Sequence, residues 1–122
     1  MSEKLYTRDE ANALLPYLAP TLVELREKSE QAAQIRESVA HSAATNGGSI
    51  KRERWSKTLA RVGELLQRLD DWELQLRDIG TGLVDFPAEV DGQEAWICWR
   101  LGEPEVGHWH PRSEGFGGRR PL

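Results

Sequence analysis

The sequence has one cysteine, one methionine, two phenylalanines and two tyrosines, and no apolar run near the roughly 18 residues that span a bilayer. Each scarcity excludes something. A lone thiol, Cys98, cannot close an intramolecular disulfide, which fits a reducing compartment. Met1 is followed by Ser2, Glu3 and Lys4 with no apolar signal core, so a cytoplasmic protein is expected. Positive charge is in deficit: 16 basic against 20 acidic residues give a formal charge of −4, which repels a phosphate backbone. Neither nucleic acid nor a membrane is an expected partner. At 122 residues, the chain is expected to form one domain over 1–122.

What is present begins with helix signals. Thr7-Arg8-Asp9-Glu10 is a capping box, opening a helix near Arg8. Pro16 and Pro20 each remove a backbone donor, so a kink or restart is expected near Pro16. Leu18, Leu22 and Leu25, followed more weakly by Ala32, Ile35 and Val39, carry the helix to about Ala44, where Thr45-Asn46-Gly47-Gly48-Ser49 ends it and Ser49 can cap the next helix. That second helix is expected over 50–79. Trp55, Leu59, Val62, Leu66, Leu69 and Leu76 form one stripe, interrupted only by Glu73, and Leu65, Leu69, Trp72, Leu76 and Ile79 form another beside it. Helix 1 covers one stripe, so this coiled-coil-like hairpin is expected to complete itself as a homodimer.

The basic run Lys51, Arg52, Arg54, Lys57 resembles a phosphate-binding patch, but folding the helices back around residues 45 and 46 pairs it off. Arg54 then meets Glu37, Arg61 meets Glu30 and Arg68 meets Glu24, with Trp55 beside Ala32, Ala33 and Ala40.

Beyond Ile79 the apolar period falls to two. Asp91-Gly92 between two alternating runs is a hairpin signal that pairs Val84 with Trp99, Phe86 with Ile97 and Asp85 with Cys98. His108-Trp109-His110 supplies a third strand, and 111–122 is a glycine-rich tail without periodicity. The fold class expected is therefore α+β, a long antiparallel helical hairpin with a small three-stranded antiparallel meander over 82–110. One residue more or less in the 102–105 turn flips the third strand. The register that separates chemistry best sets Cys98 beside His108. It puts Val84, Phe86, Ala95, Ile97, Trp99 and Trp109 on one face, and Asp85, Cys98, Arg100, His108 and His110 on the other.

That second face could hold a metal, since His-x-His projects two imidazoles to one side near Cys98 and Asp85. No second cysteine or spaced ligand pair accompanies them, and Arg100 opposes a cation, so hydrogen-bonded histidines are the preferred reading. A Cys98/His108 nucleophile pair lacks an oxyanion-hole motif. Trp96 on this face is placed to stack on Arg100. Neither metal, cofactor nor catalytic residues are expected.

"YTRDEANALLPYL" at the front and "GLVDFPAEVDGQEAWICWRLGEPEVGHWHPRSEGFGGRRPL" at the back resemble the bacterial domain-of-unknown-function family 2203 over nearly the whole chain. The family pattern falls on Asp85, Phe86, Pro87, Cys98, Trp99, Gly102, Glu103, Trp109, His110, Gly115, Phe116 and Arg119. Where the family tends to have a large aromatic, this chain has His108, which weakens a two-histidine metal site. The resemblance implies no activity, substrate or cofactor.

In the tail, Phe116 can anchor the segment over the sheet while Arg119 and Arg120 meet Asp85, Glu103 or Glu114. Arg100, Glu103, His110 and Arg119 are thus the expected ligand-binding residues, suited to an anionic ligand or an acidic peptide. The function expected is a non-enzymatic, self-associating scaffold or interaction module. The alternative is a small-ligand, metal or enzymatic site on the polar face of the meander.

Overall fold

The computed structural model describes residues 4–41 and 47–122. The expected helix end near Ala44, the turn at Thr45 and Asn46 and the Val39 side chain lie outside what is described. The fold is α+β: helix α1 (Arg8–His41), helix α2 (Gly47–Asp71), and strands β1 (Gln75–Asp78), β2 (Leu83–Val90), β3 (Gln93–Arg100), β4 (His108–Pro111) and β5 (Arg120–Pro121). The strands form one antiparallel sheet in sequential order, with a short 3-10 turn at Phe116–Gly118 before β5.

The capping box starts α1. The Thr7 N–H donates to Glu10 Oε1 at 2.9 Å and the Glu10 N–H to Thr7 Oγ1 at 3.1 Å, and these bonds hold the Glu10 carboxyl below its ordinary range. The helix then continues through Pro16 and Pro20 without restarting. Leu18, Leu22 and Leu25 are buried while both prolines are exposed. Burial of about 2 kcal/mol for each leucine offsets a proline cost of about 3 kcal/mol per site.

Helix α2 begins at Gly47, so Ser49 lies inside it, and it ends eight residues before Ile79. Its stop is a Schellman motif with no glycine: the Leu74 N–H reaches the Leu69 carbonyl at 3.0 Å and the Glu73 N–H the Asp70 carbonyl at 2.8 Å, with Glu73 at φ 60°. Leu76 and Ile79 therefore belong to β1 or its end, not to a helical stripe. Glu73, the one interruption in the apolar pattern, is the residue at which the helix stops.

The helices pack at a different register from the expected charge ladder. Arg61 makes a bidentate bond to Glu24, 2.7 Å from each oxygen, and not to Glu30, while Arg68 lies near Glu24 as expected and donates its hydrogen bond to Thr21 Oγ1 at 3.0 Å. The alignment is set by buried Leu18, Leu22 and Leu25 against Leu65 and Leu69, because core burial outweighs exposed ion pairs of about 0–1 kcal/mol. Trp55 lines one groove with Ala32 and Ala33 as expected, but Ala40 does not line it.

The meander is the middle of a five-stranded sheet. Asp91 (φ 54°) and Gly92 (φ 79°) make the two-residue turn, and Val84 faces Trp99, Asp85 faces Cys98 and Phe86 faces Ile97. Cys98 faces His108, so the register expected from the sequence is the one adopted. The tail is ordered as an edge strand, with His108 opposite Pro121 and Trp109 opposite Arg120. Proline suits an edge, where it forfeits no ladder bond. Val84, Phe86, Ile97 and Trp99 point inward and join Leu18, Leu22, Leu65 and Leu69 in one core, to which the Tyr6 ring adds an edge contact with Phe86 at 5.2 Å. Gly82 (φ 70°) is required where it stands: a Cβ there would lie 2.6 Å from Leu101 Cβ.

Candidate ligand site on the outer face of the sheet

Period-two alternation sends Asp85, Trp96, Cys98, His108 and His110 to the face away from the helices. Two clusters form there. In the first, Asp85 and His110, each 2% exposed, meet across β3 with His110 Nε2 at 3.2 Å from both carboxylate oxygens. Arg77 Nε donates to Asp85 Oδ2 at 2.8 Å, and His110 Nδ1 lies 3.0 Å from the Pro111 carbonyl. Both ring nitrogens thus face oxygen atoms. Trp96 is flanked by two guanidinium groups, with Arg112 4.1 Å and Arg77 5.0 Å from its ring centre. Arg112 is placed by its Nε bond to the Ala95 carbonyl at 2.9 Å.

The second cluster fastens the tail. Arg119 Nη2 donates to Glu103 Oε1 at 2.5 Å, and the same oxygen accepts the Arg100 N–H at 2.7 Å. Burial works against the Glu103 charge, yet the Arg119 bond and the Arg100 N–H outweigh it and hold the carboxyl below its ordinary range. Phe116 lies beneath Arg119 and Arg100, 4.9 and 5.7 Å from its ring centre, Arg120 pairs with Glu114 at 3.2 Å, and the Leu122 N–H reaches the Gly107 carbonyl at 2.9 Å.

The four residues expected to bind ligand are therefore divided. Arg100, Glu103 and Arg119 come together as the tail clasp, and His110 belongs to the Asp85 cluster. Trp96 stacks on Arg77 and Arg112, not on Arg100. Sequence reasoning misses Arg77 because it extends a helix over it, although Leu74-Gln75-Leu76-Arg77 already alternates at period two.

Cys98, 1% exposed, sits between the clusters, opposite Asp85 and within the field of the Arg119 charge. Burial pushes its thiol up to about 11, with the Arg119 charge acting only in part against this. Among the described residues, no three His, Cys, Asp or Glu side chains are grouped to hold a metal ion. What the face does contain is a cavity of about 310 Å³, floored by Asp85, His110 and Cys98 and walled by Trp96, Arg77, Arg112, Leu83 and the 114–116 turn. Such an arrangement can recognise charge and shape, and the raised Cys98 thiol disfavours the thiolate at neutral pH.

No described helix is long and apolar enough to cross a membrane. No curated protein and no solved structure matches the chain. One family model, described as "Uncharacterized conserved protein (DUF2203)", matches residues 4–122. With nearly its whole length matched, the chain belongs to domain-of-unknown-function family 2203.

Proposed function

We propose that this protein is a non-enzymatic interaction module that pairs with a second copy of itself and carries a site for an anionic ligand on the outer face of its sheet. One observation carries the pairing. Beyond Ala32 in α1 and before Leu65 in α2, no described side chain is buried, yet Trp55, Leu59, Val62 and Leu66 recur at steps of four and three along that half of the hairpin. Leu59 is 42% and Leu66 43% exposed. Two helices alone bury one stripe each, and a second hairpin set against this one would cover what is left, as in a four-helix bundle.

Light scattering on the purified protein at micromolar concentration tests the pairing. The expected mass is twice 13.8 kDa, falling to 13.8 kDa in a Leu59→Glu, Leu66→Glu double variant. Both positions are exposed, so the variant keeps its fold. A wild-type protein that stays at the single-chain mass contradicts the pairing.

The ligand half of the reading is supported by the outer-face cavity. Of the four residues expected from the sequence, Glu103 and Arg119 pair with one another, which supports His110, with Asp85, Arg77, Trp96 and Arg112, as the recognising group. An acidic peptide remains a second occupant for the clasp side of the face, where Arg100 is exposed.

A further inference from the structure

Helix α2 carries two seams, and the chain itself covers one of them. Trp55, Thr58, Val62, Leu65 and Leu69, at steps of three and four, are buried or half-buried in the chain's own packing. One residue further on each time stand Ser56, Leu59, Gly63, Leu66 and Asp70, which with Arg52 make a second seam about 100° round the helix. All six are exposed. An angle near a right angle between two seams is what a helix at the corner of a four-helix bundle needs.

Three features of the second seam have no explanation within one chain. Gly63 stands in the middle of a helix, where glycine is the weakest former after proline, and a Cβ there would meet nothing within 4 Å among the described residues. Arg52 and Asp70, at the two ends, form no ion pair among the described residues. Asp70 also lies in the last turn of α2, the end at which the helix dipole disfavours a negative charge. A second copy running the other way answers all three. When two α2 helices lie antiparallel about a two-fold axis at residue 61, Arg52 meets the partner's Asp70, Ser56 meets the partner's Leu66 and Leu59 meets the partner's Gly63. Large faces small, and positive faces negative. Parallel helices would instead set arginine on arginine, aspartate on aspartate and leucine on leucine, with a gap where the two glycines meet.

We infer that two copies of this protein pair through α2 in that antiparallel crossing, with Leu59 of each packed over the partner's Gly63 and Arg52 of each on the partner's Asp70. The inference rests on the chain pairing with itself, and it adds the face, the direction and the register.

Dipolar electron resonance on the full chain, carrying a nitroxide at Ser49→Cys, tests it together with light scattering. Ser49 is exposed and outside the seam, and Cys98 is buried from the label. At about 1.5 Å per residue from an axis at residue 61, the two labels of a pair are expected roughly 35 Å apart. Gly63→Gln is expected to raise the dimer Kd at least about tenfold by setting an amide against Leu59, with no loss of helical circular dichroism. A dimer whose labels stand level, on the order of the interaxial distance of about 10 Å, overturns the antiparallel crossing and leaves the pairing in place. A Gly63→Gln dimer as tight as the wild type shows that another face is buried, and overturns the crossing as well. A wild-type protein at the single-chain mass, with no dipolar coupling, overturns both the crossing and the pairing.

Discussion

The two faces of the same strands are built on opposite principles. Inward, Val84, Phe86, Ile97 and Trp99 are packed against leucines and need only shape. Outward, one residue along the chain each time, Asp85, Cys98 and His110 are as deeply buried but are held by hydrogen bonds and charge. A sheet of this size would fold with an ordinary solvated outer face. The tail instead crosses over and buries ionisable groups, whose removal from water costs several kcal/mol each unless paired. The inner face explains why the protein folds, and the proposed reading assigns the outer face to recognition.

The largest expected effect lies on the inner side. Leu69→Asp places an unpaired charge at a core position 2% exposed, and is expected to cost about 4 kcal/mol in urea denaturation. A midpoint equal to wild type would show that the helices do not meet the sheet at Leu69.

Asp85→Ala comes next, at about 3 kcal/mol, because it strands His110 and Arg77 beside a buried gap. Replacing Asp85 and His110 together with leucines sharpens the comparison: near-wild-type or higher stability is expected if the pair is kept for recognition. A double variant as unstable as Asp85→Ala alone would instead make the pair structural.

The smallest effect is at the clasp. Glu103→Gln loses a charged bond to Arg119 and is expected to cost about 1 kcal/mol, read as faster amide exchange over 112–122 with the core unchanged. Acidification should do the same. The folded Glu103 carboxyl lies below its unfolded value, so its contribution is full above the ordinary carboxylate range and is lost as pH falls through the folded value. Tail protection unaffected by either change would show that the backbone pairing of β5 alone holds the segment.

Much of this contrast was legible in the sequence, and the failures have physical causes. The capping box, the Asp91-Gly92 turn and the facing of Cys98 and His108 were readable because local donors, φ requirements and period-two alternation act over a few residues. The end of α2 was not, because a left-handed Glu73 stops the helix where glycine would normally announce it. With the helix extended through to Ile79, Arg77 is lost to the outer face. The charge ladder holds at Arg68 and Glu24 but fails at Arg61, which meets Glu24 and not Glu30, because ion pairs follow the packing of leucines and do not set it. Strand β5 has two residues and a proline, too short to show a period, and it exists through its pairing with β4.

The central claim is that the outer face acts by recognition and not by thiol chemistry, and the reactivity of Cys98 tests it most directly, since the chain has no other cysteine. A thiol at about 11 instead of 9.0 carries about a hundredfold less thiolate at neutral pH. Alkylation of the native protein by iodoacetamide at pH 7.5 is therefore expected to run at least about a hundredfold slower than in the urea-unfolded chain. A native rate equal to or faster than the unfolded one would mean an accessible, activated thiolate beside His108, and would contradict the account.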